Sequence, residues 1–302
     1  MNILISGGSG MVGKRLTQLL QQKAYQVAWL SRSANDKGPV KTFAWDPMQN
    51  KIDPAAIAWA DAIINLAGAG VADKPWTKKR KQEILDSRTF STRLLASAIK
   101  QANKSIKTFV SASAIGYYGF ITSEDVLTEE SKAGHDFLAG VVKQWEDEIF
   151  QVEKLNVRTV AIRIGIVLSA EGGALKAMAA PVKWGFGAAL GSGKQQIAWI
   201  HIDDLCAMFI SALENENMSG AYNGVGLYAV SNKDFTKAIA KMLNRPFFLP
   251  NAPAFVMKLI LGEMADMVLQ GSAVSAEKIL STGFTFKYKT LEAALENLLK
   301  KE

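Results

Sequence analysis

Three glycines near the start of the chain have a spacing that suits the binding of a pyrophosphate. Gly7, Gly10 and Gly13 follow an apolar run at residues 3–6, and the last of them opens an amphipathic pattern at residues 12–22. In such a turn the first glycine permits a tight bend, the second lets the backbone approach the phosphates, and the third lets helix and strand pack closely. The helix presents free N–H groups and the positive end of its dipole, so the pattern predicts a dinucleotide site. The expected cofactor contacts in this turn are Gly7, Gly10, Met11, Val12 and Gly13.

The end of the second apolar run bears on which dinucleotide is bound. About twenty residues after the glycine turn, an NAD site usually carries Asp or Glu, which accepts hydrogen bonds from the ribose 2′-hydroxyl. This sequence has Ser31 and Arg32 there. The planar guanidinium of Arg32 suits a 2′-phosphate, because it binds phosphate oxygens in pairs. We therefore expect NADP(H), with Ser31 and Arg32 as contacts; the alternative is a surface arginine just past a strand end.

Two further features lie at the carboxyl ends of predicted strands, at the edge where open α/β sheets bind ligands. One is a run of mostly small residues that would let the strand end pass close to the adenosine half of the cofactor, namely Asn65, Leu66, Ala67 and Gly68. The alternative there is a plain left-handed turn. The other is Arg163, at the end of a buried run at residues 159–164. Since an unpaired buried arginine is costly, we expect Arg163 to contact the cofactor as well.

The elements that must position these residues alternate between short apolar runs and amphipathic stretches over the first 165 residues, as parallel strands joined by helices do. The apolar runs lie at residues 3–6, 26–31, 62–66, 108–111 and 159–164, with a short one near 43–45. Helical patterns lie at residues 12–22, 78–102 and 137–154. The runs lack alternation, which indicates burial on both faces of a parallel sheet. We therefore predict an α/β fold: a Rossmann-like doubly wound parallel sheet with a smaller, discontinuous C-terminal substrate lobe.

The chain changes character after about residue 165. Residues 172–194 are rich in Gly and Ala, which indicates loops and a short helix. Residues 201–204 predict the start of a helix with an aspartate as its N-cap, and residues 220–224 predict a strand that returns to the sheet. Further helices are predicted near residues 254–261 and 290–300. The predicted domains are a nucleotide-binding domain at 1–170 plus about 200–226, and a substrate lobe at about 171–199 plus 227–302.

Composition narrows the classes of function. The 302 residues carry a net charge of +7, with one dense basic run at residues 78–81. That run lacks the aromatic interleaving that stacks bases, so we interpret it as a solvated helix face and expect no nucleic-acid partner. A single cysteine, Cys206, and two histidines supply neither a disulfide nor a metal cluster. The sequence has no recognisable signal peptide and no apolar stretch of membrane-spanning length, so we expect a cytoplasmic protein without a membrane partner.

Several segments together carry a family resemblance. They lie at residues 7–13, 65–68, 111–119, 163–165 and 198–204, with further matches at 72–76, 87–88, 262–264 and 283–286. The sequence resembles the extended short-chain dehydrogenase/reductase superfamily. More narrowly, it is similar to the atypical branch called epimerase family proteins or nucleoside-diphosphate-sugar epimerases. The tail resembles a small domain of unknown function that accompanies this branch, and the resemblance covers essentially the whole chain.

The resemblance implies a pattern of catalytic residues that this sequence keeps only in part. In active members, a Ser or Thr after the fifth strand binds the reacting oxygen, and a Tyr-x-x-x-Lys pair on the next helix carries the acid/base chemistry. Ser113 matches the serine. If Glu146 is the glutamate that usually follows four residues after the lysine, Leu138 and Val142 occupy the tyrosine and lysine positions. No tyrosine of the sequence is followed four residues later by lysine, so the standard proton relay is absent.

Other groups are candidates for the missing acid. Tyr117 and Tyr118 lie in a glycine-flanked loop a few residues past Ser113, and we take Ser113 and Tyr117 as the candidate catalytic residues. His135, before the helix, and Lys143, one position off, are further alternatives. All four substitutes also have a structural interpretation. The candidate substrate contacts are Arg88, Tyr118 and Lys194.

Two classes of function stay open at this point. The first is an NADP(H)-dependent oxidoreductase or sugar-nucleotide epimerase that acts on a carbonyl or carbinol carbon of a small molecule. A nucleotide-sugar-like anion enters as substrate only through family analogy. The second is a non-catalytic NADP(H)-binding sensor or assembly factor, which the missing Tyr and Lys favour. Ser113 and the candidate substrate contacts favour the first.

Overall fold

The computed structural model of the chain describes residues 1–32, 38–102, 104–123 and 125–300. The strands are β1 Asn2–Ser6, β2 Gln26–Ser31, β3 Lys41–Asp46, β4 Lys51–Ile52, β5 Ala62–Asn65, β6 Thr108–Ala114, β7 Arg158–Ile164, β8 Ile166–Leu168, β9 Gln196–Ile197, β10 Trp199–His201, β11 Gly220–Gly224 and β12 Val230–Ser231. The helices are α1 Met11–Gln22, α2 Pro54–Trp59, α3 Lys78–Gln101, α4 Phe137–Phe150, α5 Gly173–Lys183, α6 Ile202–Glu214, α7 Asn232–Met242, α8 Ala254–Leu261, α9 Asp266–Leu269, α10 Glu277–Leu280 and α11 Leu291–Leu299. The predicted alternation of strands and helices in the first half is confirmed.

One large sheet organises the first half of the chain. Its strand order is β11-β7-β6-β5-β1-β2-β3-β4; each pair from β6 through β5, β1 and β2 to β3 is parallel, and β4 is antiparallel to β3. The run β3-β2-β1-β5-β6-β7 has the order of a dinucleotide-binding Rossmann sheet. The chain adds β2 and β3 on one side of β1 and later adds β5 on the other side, so the order of the strands reverses between β1 and β5. This position is the switch point of the sheet. The predicted fold class is confirmed.

The central strands are buried on both faces, as their unbroken apolar sequences predict. In β1, Ile3, Leu4 and Ile5 have no exposed surface, and in β5, Ile63 and Ile64 have none. Consecutive side chains of a strand point to opposite faces, so burial of all of them requires cover on both sides. The sheet therefore holds the carboxyl ends of β1 and β5 rigidly, and the functional turn follows β1 directly.

The chain divides into two compact units. Unit 1 comprises Met1–Tyr117, Phe137–Arg163 and Cys206–Tyr222; unit 2 comprises Tyr118–Asp136, Ile164–Leu205 and Asn223–Glu302. Unit 1 holds most of the large sheet. Unit 2 holds two small two-stranded sheets, β8 with β10 and β9 with β12, and a core of its own built by α5, α7 and α11 around Trp199 and Phe235. These units differ from the predicted boundaries most clearly at residues 118–136, which group with unit 2.

Three local predictions are wrong in detail. Helix α6 begins at Ile202, and its first-turn N–H at Asp203 donates to Nδ1 of His201 at 3.0 Å, so a histidine ring caps the helix where an aspartate was expected. The basic run is not wholly solvated, because Arg80 is buried and donates to the carbonyl oxygen of Gly70. Strand β6 continues to Ala114, past the predicted end at residue 111. None of the helices in the described part of the chain has the length and apolar character needed to cross a bilayer.

Candidate functional site

The glycine turn after β1 requires glycine at two of its positions. Gly7 has a φ of +71°, and a Cβ there would lie 2.9 Å from the backbone carbonyl of Leu66. A Cβ on Gly13 would lie 2.5 Å from the carbonyl oxygen of Gly7. The turn is closed by the N–H of Gly10, which donates to Gly7 O at 3.0 Å. The predicted roles of the first and third glycines, bending and close packing, match this geometry.

The N-terminus of α1 suits an anion. Its N-cap, Gly10, offers no side-chain acceptor, and the first turn contains no acidic residue. The first N–H groups of a helix have no partner within the helix, and the helix dipole adds positive potential at that end. Glycines in the turn remove the side chains that would keep a ligand away from these groups. The site therefore suits a pyrophosphate, which the main-chain N–H groups of Met11 and Val12 would hold as predicted.

Gly8 and Trp29 were not predicted as parts of this turn. A Cβ on Gly8 would overlap the Trp29 indole, at 2.3 Å from its Cδ1. The indole Nε1 donates to Thr17 Oγ1 at 2.9 Å, and that hydroxyl donates to Gly13 O at 2.8 Å. The tryptophan on β2 thus supports the turn from one side. No sequence spacing identifies a glycine that packs on a tryptophan of the next strand, so this contact is visible only in the tertiary structure.

A buried polar network fixes the strand ends at the switch point. Ser6 Oγ donates to Asn65 Oδ1 at 2.6 Å, and Asn65 Nδ2 donates to Thr92 Oγ1 at 3.0 Å and to Ser111 Oγ at 3.2 Å. Ser6 Oγ also accepts from the N–H of Leu66 at 3.2 Å. Asn65 has no exposed surface. Its side chain links the ends of β1 and β5 to the middle of β6 and to α3, and the cofactor contacts expected at residues 65–68 stay predictions.

The end of β2 carries the residues expected to distinguish NADP from NAD. Ser31 pairs with Ala44 of β3 and is half-buried. Arg32 follows it and is exposed at the carboxyl end of the strand. Parallel strands end at a common edge, so Arg32 lies at the same edge of the sheet as the glycine turn. The residues after Arg32, 33–37, lie outside the described part of the chain.

Ser113 belongs to a buried group of hydrogen-bonded side chains. Its Oγ donates to Glu146 Oε1 at 2.5 Å, and the serine is 2% exposed. Glu146, on α4, also forms a bidentate ion pair with Arg163: Nε to Oε1 at 2.9 Å and Nη2 to Oε2 at 2.8 Å. Both charged side chains are almost fully buried. Arg163 thus directs two of its nitrogens to Glu146, and its predicted contact with the cofactor stays a prediction.

Tyr117 completes this cluster. The Arg163 guanidinium lies 3.5 Å from the centroid of the Tyr117 ring, which is a close cation–π stack. The structure thus brings together Ser113, Tyr117 and Arg163, which the sequence singled out, and adds Glu146, which served there only to locate neighbouring positions. The sequence offered one sign of this role for Glu146: a carboxylate on the buried face of a helix requires a buried partner for its charge.

The two positions where relatives have the acid/base pair are apolar and packed. Leu138 and Val142 are buried, and a Cβ on Gly116 would lie 3.7 Å from a carbon of each. Both side chains thus face the loop that leads from Ser113 to Tyr117. Lys143, the alternative one position along, is exposed on α4, and His135 is exposed before it. In the described structure none of these side chains joins the Ser113 cluster.

Comparison with known proteins places this geometry in a family. The model of the NAD dependent epimerase/dehydratase family matches residues 3–224, and a domain of unknown function, DUF1731, matches residues 252–298. The chain belongs to the NAD-dependent epimerase/dehydratase family. A relative, epimerase family protein YfhF of Bacillus subtilis, is 35% identical over 99% of this chain and 98% of its own.

Solved structures of family members agree with this assignment. The human epimerase family protein SDR39U1 (isoform 2), crystallised with NADPH, is 32% identical, covers 99% of both chains and superposes with a TM-score of 0.87. A nucleoside-diphosphate sugar epimerase from Corynebacterium glutamicum is 29% identical with a TM-score of 0.80, over 99% of this chain and 58% of its own. The predicted family is confirmed, including the C-terminal domain of unknown function.

The predicted substrate contacts of this family member differ in their surroundings. Arg88, on α3 in unit 1, is half-buried and donates to the carbonyl oxygens of Ala69 and Ile84, both at 3.0 Å. In unit 2, Tyr118 is buried and its hydroxyl donates to Asn223 Oδ1 at 2.6 Å; its predicted substrate contact stays a prediction. Lys194 is exposed in the loop before β9.

Proposed function

We propose that this member of the NAD-dependent epimerase/dehydratase family binds NADP(H) and is an oxidoreductase or sugar-nucleotide epimerase acting on a carbonyl or carbinol carbon. The observation that carries the proposal is the uncapped N-terminus of α1 above a glycine turn at the switch point, with Arg32 and no acidic residue at the end of β2. The human relative crystallised with NADPH supports the choice of NADP(H). When bound, the nicotinamide supplies the hydride donor or acceptor.

The chain's own residues would bind and orient the substrate oxygen. Ser113 Oγ donates a hydrogen bond to Glu146, so its lone pairs are left to accept from the hydroxyl of a carbinol substrate, while a carbonyl oxygen receives its hydrogen bond from Tyr117. Arg163 fixes the carboxylate that receives this hydrogen bond. We assign proton transfer to the hydroxyl of Tyr117, whose ring is held against the Arg163 guanidinium. This assignment replaces the Tyr-x-x-x-Lys pair that the chain lacks.

A second candidate function has an observation in its favour. Leu138 and Val142 are packed apolar residues, which neither move a proton nor hold a nicotinamide ribose by hydrogen bonding. A protein that kept the dinucleotide site but lost this pair could act as a non-catalytic NADP(H) sensor or assembly factor. The Ser113 cluster favours the enzyme. Burial of an ion pair beside the serine costs free energy, and a catalytic role for the serine accounts for that cost.

Cofactor choice is tested by calorimetric titration of the purified protein with NADPH and NADH. We expect NADPH to bind at least tenfold more tightly. Arg32→Gln should weaken NADPH binding by about tenfold to a hundredfold, the range for loss of a hydrogen bond to a charged group, and leave NADH binding unchanged. Arg245→Gln, at another exposed arginine, is the control. Equal affinities of the native protein for the two cofactors would contradict the assignment of NADP(H).

Turnover distinguishes the two candidate functions. NADPH-loaded protein is mixed with a panel of carbonyl compounds while the nicotinamide absorbance is followed. An oxidoreductase should consume NADPH with at least one of them, and Ser113→Ala should reduce that rate by about two to three orders of magnitude, the cost of losing one positioned hydrogen-bonding group at the reacting oxygen. Tight NADPH binding without NADPH consumption, together with no epimerisation of sugar nucleotides by NADP⁺-loaded protein, would favour the sensor. Turnover that survives Ser113→Ala would remove the serine from the mechanism.

A further inference from the structure

Two segments of unit 2, residues 183–194 and 245–261, carry large apolar side chains that the fold leaves exposed. They are Trp184, Phe186, Phe248, Phe255, Leu259 and Ile260, with exposed fractions from 68% for Phe186 to 85% for Leu259. Single exposed apolar residues are ordinary on a protein surface, whereas a contiguous group of them marks a contact with another molecule. The group is contiguous if the two segments lie side by side.

The two segments do lie side by side. Leu190 pairs with Ala252 in a parallel bridge. Earlier along both segments, a Cβ on Gly187 would lie 3.7 Å from the ring of Phe247, which packs on the core of unit 2. Phe248, the next residue, is exposed. The pairing thus brings the exposed side chains of both segments into one region, which we call the apolar surface of unit 2.

A defined turn exposes the first two aromatic side chains. Gly185, between Trp184 and Phe186, has a φ of +82°, a conformation that favours glycine. The N–H of Gly185 donates to the carbonyl oxygen of Val182 at 2.9 Å, and the N–H of Phe186 donates to that of Pro181 at 2.9 Å. The backbone geometry of this turn therefore directs both aromatic side chains into solvent.

Helix α8 contributes the other end of the apolar surface. Its eight residues are apolar except for Lys258, and none of them is buried. Phe255 and Leu259 are four residues apart, so their side chains are neighbours on one face of the helix. A helix that is apolar on nearly all sides is normally covered. We therefore expect α8 to lie against another molecule.

The charge around the apolar surface is positive. Residues 183–194 and 245–261 contain Lys183, Lys194, Arg245 and Lys258 and no acidic residue. All four of these side chains are exposed. A second copy of the chain, related by a two-fold axis through this surface, would bring like charges toward one another. An anionic surface would attract them instead.

We propose that the apolar surface of unit 2 binds the surface of an anionic lipid bilayer. Tryptophan and other apolar side chains enter the boundary between headgroups and acyl chains, and the flanking lysines contact the headgroups. Lipid adapts to side chains that protrude, such as Trp184 and Leu259, whereas a folded protein partner needs a complementary surface for each of them. The proposal is independent of the proposed reaction.

This proposal replaces the expectation that the protein has no membrane partner. That expectation rested on the lack of a signal peptide and of a membrane-spanning stretch in the sequence. Contact with the surface of a bilayer requires neither, because the apolar side chains enter only the interfacial layer.

The first test is co-sedimentation of the full chain with vesicles of phosphatidylcholine, alone or with about 30% phosphatidylserine. Native protein should bind the anionic vesicles at least tenfold more tightly than the neutral ones. The double change Phe255→Ser with Leu259→Ser should weaken that binding at least tenfold, because it removes two side chains that enter the lipid. The control is Met48→Ser, at an exposed apolar residue of unit 1, which should bind as the native protein does.

The charged contacts are tested in the same assay. Lys183→Gln should weaken binding to the anionic vesicles by about fivefold, the contribution of one lysine near an anionic membrane surface. Lys100→Gln, at an exposed lysine of unit 1, is the matched control and should leave the binding unchanged. Raising the salt concentration should weaken the binding of native protein, because salt screens these charges.

Tryptophan fluorescence gives a second measurement. Trp184 is the exposed one of the seven tryptophans of the chain. Anionic vesicles that contain brominated lipid should quench the fluorescence of native protein, because bromine quenches an indole that enters the lipid. Trp184→Phe should bind within about threefold of native protein, since it keeps an aromatic side chain, and should lose most of the quenching. Quenching that persists in this variant would place the contact elsewhere and overturn the proposal.

Two results of the sedimentation assay would also overturn the proposal. One is that native protein binds neither kind of vesicle. A native dimer that dissociates in the double variant would then assign the surface to a second copy, and a native monomer would favour an acidic protein. The other is binding to anionic vesicles that the double change leaves intact, because the net charge of +7 would then suffice. If the double variant does not fold, Trp184→Ser in the exposed turn carries the same comparison.

Discussion

Glu146 satisfies two buried partners with one carboxylate. Its Oε1 accepts from Ser113 Oγ and from Arg163 Nε, and its Oε2 accepts from Arg163 Nη2. Taking both charges out of water is expensive, and the bidentate geometry is what compensates for it. The pair therefore contributes little net stability when intact, but loss of one partner leaves the other charge buried alone. The same carboxylate sets the direction of the Ser113 hydroxyl.

Glu146→Gln should destabilise the protein strongly, because it leaves the Arg163 guanidinium buried without a counter-charge. We expect a loss of about 3–5 kcal/mol in the free energy of unfolding. Glu148→Gln on the same helix is the matched control, since Glu148 pairs with the exposed Arg93, and it should cost only about 0–1 kcal/mol. Urea unfolding measures both. Equal losses in the two variants would contradict the view that burial decides the effect.

At the scale of elements, the start of α6 shows how unit 2 uses its polar residues. His201 caps the helix through Nδ1, so its Nε2 carries the proton and donates to Asn297 Oδ1 at 3.1 Å, while its ring stacks on Tyr288. Asp204, in the first turn, accepts from the N–H groups of Lys287 at 2.8 Å and Tyr288 at 3.0 Å. The helix start therefore binds the segment before α11 rather than a substrate.

Asp204 should make the stability of unit 2 depend on pH. Burial raises its pKa above the usual 3.8, although hydrogen bonds from Lys287 and Tyr288 partly oppose the shift. A carboxyl whose pKa is raised on folding stabilises the fold most below its unfolded value, and that contribution is lost as pH rises through the folded pKa. The free energy of unfolding of the native protein, minus that of Asp204→Asn, which does not titrate, should therefore fall as pH rises from about 4 to 7. Urea unfolding across this range measures it, and a difference that grows with pH would contradict the direction of the shift.

At the scale of the whole molecule, ligand binding and folding are linked. A cofactor that binds only the folded turn raises the free energy of unfolding by mass action, by about 2.7 kcal/mol at one hundred times its Kd. The unfolding midpoint should therefore rise with NADPH concentration. Gly13→Ala is the control, because its Cβ would overlap the carbonyl oxygen of Gly7 and distort the turn. A midpoint in native protein that does not respond to saturating NADPH would contradict the linkage and the site.

The amino-acid sequence by itself determined the fold class, the glycine turn and the family. These depend on spacing over short stretches: apolar runs without alternation, and glycines three residues apart between a strand and a helix. Such patterns are local because a tight bend and a helix N-terminus are local structures.

Only the tertiary structure decided which side chains face one another. Ser113 and Glu146 are 33 residues apart in sequence, and Glu146 and Arg163 are 17 apart, so their hydrogen bonds depend on how α4 packs on the sheet. The same holds for Asn65, whose amide turns inward to Thr92 and Ser111. From the sequence alone, Arg88 and Arg163 were both candidate ligand contacts, and nothing in the sequence shows which of them has a buried carboxylate as partner. Packing gave Arg163 a buried carboxylate and gave Arg88 the carbonyl oxygens of Ala69 and Ile84, because a charge is satisfied by its three-dimensional neighbours and not by its neighbours along the chain.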